Sequence, residues 1–177
     1  MGLRRIAIAS AVGAMFLVGA CGQATVESVP STELHMSRVK DYTIADLRAE
    51  STMVVRGTAS TSREEEVDKV PVTFTRLRLD QHVAGLGAGA EWVEIVQLGG
   101  SAVSSPDTSP LLADGDRYLL FLKPYTARSR SAVPAFVITG DQGVFRESSG
   151  GYEFTGAPSD ELPARFTADS LVAQARP

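Results

Sequence analysis

The sequence predicts a mainly β domain, an antiparallel barrel with a two-sheet sandwich as the alternative, carrying a short helix near each end. Three observations lead there. Between residues 52 and 156 apolar positions recur with a period of two, in short runs rich in β-branched and aromatic residues. Clusters of Gly, Ser, Pro or Asp bound nearly all of those runs. No helix-length segment separates them, which disfavours a parallel α/β sheet.

The elements follow in chain order. Residues 42–51, "YTIADLRAES", offer one or two helical turns, with Thr43 as N-cap and Asp46 completing a capping box. The period then changes to two, in residues 52–60, 70–83, 91–100, 117–124, 135–140, 143–147 and 152–156. In the second run Val70, Val72 and Phe74 alternate on one face, but the apolar phase resumes at Leu77 and Leu79. A bulge near Thr75 and Arg76 would restore the register and bend the strand as a small barrel requires. "FTADSLVAQARP" at the end reads as a terminal helix started by Thr167 or Asp169.

Ahead of the domain, Arg4 and Arg5 precede an apolar stretch, residues 6–20, that ends on the small residues Gly19 and Ala20. As a helix this stretch spans about 22 Å, short of the roughly 30 Å hydrocarbon core, so it reads as a secretory leader over residues 1–20. Cys21 is the chain's one cysteine. It cannot form an internal disulfide, so it pairs between chains, stays free or is modified. Val18-Gly19-Ala20-Cys21 resembles the lipobox of bacterial lipoproteins. The resemblance implies diacylglyceryl transfer to the Cys21 sulfur, cleavage before it, and attachment to the cell membrane on its extracytoplasmic side. The alternative is an ordinary leader cut near Ala20 with an incidental cysteine. At about 0.8 kcal/mol per buried CH₂, two acyl chains anchor durably where one is marginal, so no second membrane segment is required.

Residues 21–40 then read as the lipidated cysteine and a flexible polar tether, and residues 41–177 as one β-rich domain, long enough for a proper core. The formal net charge is −4, and removal of Arg4 and Arg5 with the leader makes it more negative. That argues against a nucleic-acid binder and against attachment through anionic headgroups. The chain contains no asparagine, which excludes N-glycosylation, Asn-Gly hairpins and a catalytic Asn together.

A long bent second strand running into a glycine loop, followed by "VEIVQLGG" and "LLADGDRYLLFL", is similar to exported bacterial proteins of uncharacterised function. Over roughly residues 52–156 it also resembles the OB-like barrel of netrin-type and metalloproteinase-inhibitor modules. Those inhibitors rely on disulfides and a free N-terminal cysteine. A lipidated Cys21 supplies neither, so inhibition does not carry over.

Several constellations invite chemical readings. "GLGAGA", residues 85–90, matches a dinucleotide-binding turn, but that turn must open a helix and the next segment, "EWVEIVQL", reads as a strand; a hairpin loop is expected. His82, with Asp80 two residues away on the same strand face, is the one route to a general base, yet i and i+2 lie about 7 Å apart and no nucleophile elbow is present. Glu64, Glu65 and Glu66 in "SREEEVDK" read as a solvated hairpin tip, and Asp114 and Asp116 as a turn rather than a calcium loop. Trp92 reads as a core plug or, alternatively, as an exposed platform for a glycan or peptide. Arg128 and Arg130, in a long loop of an acidic protein, are placed to meet an anionic partner. No cofactor or metal is expected. The leading function is a non-catalytic binding module at the cell envelope, its partner a protein, glycan or small ligand. An envelope hydrolase using His82 and a carrier of a lipid or small apolar ligand are the alternatives.

Overall fold

The computed structural model describes residues 32–33, 40–85, 89–101, 103–104, 108–126, 134–157 and 159–175. The elements are β1 (Thr32–Glu33), α1 (Ile44–Glu50), β2 (Met53–Val67), β3 (Val70–Gly85), β4 (Trp92–Leu98), β5 (Val103–Ser104) and β6 (Arg117–Pro124). They continue with β7 (Ala135–Ile138), a 3-10 turn (Thr139–Asp141), β8 (Val144–Ser148), β9 (Gly151–Phe154), β10 (Arg165–Phe166) and α2 (Ala168–Ala175). The protein is mainly β, with a short helix near each end of the domain.

β2, β3 and β4 form an antiparallel meander, and β6 pairs antiparallel with the first part of β2. β7 closes the ring by lying parallel to β4 and antiparallel to β6. The circuit β2-β3-β4-β7-β6 is a five-stranded Greek-key barrel of OB-like type. Its stagger is large. A ladder leaving β2 at Met53 crosses Leu122 to Ile138; one residue back, Val137 leads through Val96 and Phe74 to Arg63, again on β2. Tilt, stagger and barrel size are linked, and at this size side chains fill the interior.

The register corrects one expectation. β3 pairs with β4 without interruption from Val72 opposite Leu98 to Arg78 opposite Trp92, so the bulge expected near Thr75 and Arg76 is not in β3. It lies across from them, where Ser60 and Thr61 of β2 together face Arg76. The two apolar phases of β3 serve two faces instead. Leu77 enters the barrel core, while Phe74 and Val72 join a separate outer cluster. Thr73 and Thr75 are buried on the inner phase and satisfy their hydroxyls there, Thr73 donating to the Gly99 carbonyl at 2.8 Å and Thr75 lying 2.9 Å from the Ser62 hydroxyl. Two further bulges do fall in β3, at Asp80 and Val83.

"YLLFL" of β6 is buried on both faces, which is why it reads as a continuous apolar run. Tyr118, Leu120 and Leu122 fill the barrel together with Met53, Leu77 and Ile95. Leu119 and Phe121 face the other way, into a second core under the helices. Phe145 centres that core, its ring 5.8 Å from Phe121, 5.5 Å from Phe154 and 5.4 Å from Phe166. α1 starts on the predicted capping box, with the Thr43 hydroxyl accepting from the Asp46 N–H at 3.1 Å and the Asp46 carboxylate from the Thr43 N–H at 3.0 Å. At α2 the Thr167 hydroxyl accepts from the Ser170 N–H at 3.3 Å.

The charge run "SREEEVDK" is not a loop: residues 62–67 continue β2, and only Asp68 and Lys69 turn the chain, both with positive φ (51° and 68°). The folded unit is tied down at its start by buried Gln142, which accepts from the Tyr42 N–H at 2.9 Å and donates to the Asp41 carboxylate at 3.2 Å. Within the stretch expected to be tether, Thr32–Glu33 pairs in parallel with Val103–Ser104. No helix among the described residues is long and apolar enough to cross a membrane. The leader, Cys21, Arg128, Arg130 and the middle of "GLGAGA" lie outside the described residues.

Candidate functional site

The outer face of β3 and β4 carries the features that the barrel interior does not need. Val93 and Ile95 point into the core, so Trp92, Glu94, Val96 and Leu98 take the opposite phase. Trp92 is therefore half-buried on the outside rather than a core plug. The Arg76 guanidinium, one strand away, sits 4.4 Å from the centre of its ring. Such a contact is worth about 0.5–1 kcal/mol at an exposed site and covers one face of the indole.

Beside this pair the carboxylates are already neutralised. Glu94 is buried beneath Arg63, which grips both of its oxygens and also reaches Glu65 at 2.9 Å. The Glu94 carboxylate accordingly pushes the Arg63 pKa up from its ordinary value. The same guanidinium lies 4.4 Å over the Phe74 ring, and Phe74 meets Tyr125 edge-on at 6.1 Å. An apolar stripe of Phe74, Val96 and Val72 continues to Leu98, which is 39% exposed. Tyr125 and Ala135 pack onto this stripe from either side of the loop that carries Arg128 and Arg130. The result is an aromatic and apolar strip edged by arginines.

The other candidates have structural employment. The register sets His82 opposite Val55, on the barrel side, whereas the bulge at Asp80 turns that carboxylate to the far face, where it accepts from the Thr58 hydroxyl at 3.0 Å and Arg117 Nε at 3.4 Å. The expected shared face for His82 and Asp80 is thereby corrected. Glu64 accepts from the Ser101 N–H at 2.7 Å, and Glu65 turns to Arg63, so consecutive glutamates do not converge. Asp114 and Asp116 flank a turn at Gly115 (φ 81°) that bonds back to Ala59. Among the described residues no group of three His, Cys, Asp or Glu side chains is placed to hold a metal. An apolar ligand inside the barrel would have to displace the side chains that fill it.

Trp92 was visible in the sequence, but its partner Arg76 and the Arg63–Glu94 pair were not. They meet only across strands, and no period along one strand reports which residue stands opposite. The chain matches no family model and no curated protein.

Proposed function

We propose that the protein is an extracytoplasmic lipoprotein, anchored to the cell membrane through Cys21, whose barrel is a non-catalytic binding module at the cell envelope. The observation that carries the binding reading is the half-buried Trp92 held under Arg76 at one end of the outer face of β3 and β4, with Leu98 exposed at the other end. The strip occupies the second and third strands of an OB-like barrel, the face such barrels commonly use for ligands; this part of the reading is an analogy of fold. Arg128 and Arg130, which fall in the sequence between Tyr125 and Ala135, are assigned to an anionic group on the partner.

Two measurements test the reading. Cys21→Ser removes the sulfur that a thioether link to lipid requires, so it should abolish lipidation and move the protein out of the detergent phase; unchanged partitioning with no mass difference sinks the anchor. Broad esterase, peptidase and glycosidase panels should show no turnover above blank. Loss of a general base costs several orders of magnitude, so a reproducible turnover that vanishes in His82→Ala would replace the binding module with a hydrolase.

A further inference from the structure

The second half of β2 has a strand neighbour on one side only. β6 leaves it at Thr58, while β3 accompanies it from Ser62 opposite Thr75 to Val67 opposite Val70. The other edge of residues 62–67 is unpaired among the described residues. The two-residue turn at Asp68 and Lys69 decides which backbone groups lie on that edge. In such a hairpin the pair flanking the turn is hydrogen-bonded, and bonded and non-bonded pairs alternate away from it. Val67, Glu65 and Arg63 therefore direct their N–H and C=O groups to β3. Those of Glu66, Glu64 and Ser62 point outward. Pro71, opposite Glu66, agrees with this phase: its carbonyl accepts from the Gly99 N–H at 2.9 Å, on the side away from β2.

Alternating outward donors and acceptors form a template for an added strand. Native edges are commonly blunted by proline, by shortness or by a covering element, and this one has six residues without a proline, most of them exposed. Its side chains select the occupant. Paired with a second copy of itself, the run Glu64-Glu65-Glu66 would set carboxylate against carboxylate, which destabilises a sheet. A cationic strand reverses that sign. Glu66 is exposed and makes no hydrogen bond or ion pair among the described residues, so its charge is available.

We propose that the free edge of β2 is a strand-addition site for an extended basic polypeptide segment, held by the backbones of Ser62, Glu64 and Glu66 and selected by the glutamates. The site lies on the strand edge, apart from Trp92, and does not rest on the preceding reading.

The test uses the full-length chain in a non-ionic detergent and two peptides of about ten residues, one alternating Lys with Thr and one alternating Glu with Thr. The lysine peptide should bind saturably, more weakly as salt rises, and slow amide exchange at Ser62, Glu64 and Glu66 about tenfold or more. The glutamate peptide should do neither. Glu66→Pro deletes one outward N–H and no bond to β3, so it should weaken binding about tenfold or more, while Glu66→Gln should weaken it a few-fold and flatten the salt dependence. Unchanged exchange in β6 certifies that both variants fold, and Trp92→Ala should leave peptide binding as it was. Absence of saturable binding, equal binding of the two peptides, protection elsewhere, or full binding by Glu66→Pro overturns the proposal. So does self-association that Glu66→Pro abolishes, because the occupant would then be a second copy.

Discussion

Asp46 and Asp141 show how one carboxyl can support a fold and another strain it. The Thr43 hydroxyl, then Lys40 and the Thr43 N–H, hold the Asp46 carboxyl at about 2 against an ordinary 3.8. A depressed folded value means stability present above the unfolded pKa and lost as pH falls through the folded one. An NMR titration should place the Asp46 midpoint at about 2, and Thr43→Ala should return it toward 3.8. Asp141 runs the other way: burial raises its pKa, and its φ of 55° holds it in the left-handed region. For a raised carboxyl, stability is full below the unfolded value and lost as pH rises through the folded one. Asp141→Asn, which tolerates that backbone and carries no charge, should therefore raise the denaturation midpoint at neutral pH, with the gain vanishing below 3.8. An unchanged midpoint at pH 7 would contradict the desolvation account.

Elements are where sequence reading succeeded and where it stopped. The α1 cap, the bounds of β6 and the start of α2 were legible because each depends on residues a few positions apart: Thr43 and Asp46, the run "YLLFL", Thr167 and Ser170. The bulges were not, because a bulge is a mismatch between two strands; the phase break at Leu77 looked like an extra residue in β3 and was instead a change of which face is apolar. Gly57 sits at one such mismatch, where an added Cβ would stand 2.5 Å from the Arg78 carbonyl. Gly57→Ala should cost about 1–3 kcal/mol in chemical denaturation, the usual range for overpacking a filled site. The turn at Asp68 and Lys69 offers the opposite sign. Lys69 holds φ 68° without being glycine, so Lys69→Gly should relieve about 1 kcal/mol, and a loss of stability there would show that the hairpin turns differently.

At the scale of the molecule, a period of two over seven runs was enough to predict a β barrel or sandwich, but closure depends on β7 lying parallel to β4 while it pairs with β6. Nothing within "AFVI" announces two neighbours on opposite edges. The same limit hid the outer face of β3 and β4: Trp92 could be read as core or platform from its own strand, and the phase of Val93 and Ile95 set it outside the barrel core. Since Trp92 is the chain's one tryptophan, its fluorescence reports on that face without any label. The most direct test of the binding account is therefore the emission of the full-length protein while purified envelope glycans, peptides and proteins are titrated in. One of them should shift or quench Trp92 emission saturably, and Arg76→Ala, which frees the indole from its cover, should change both the starting emission and the affinity. A partner that binds saturably while Trp92 emission stays constant would contradict the account.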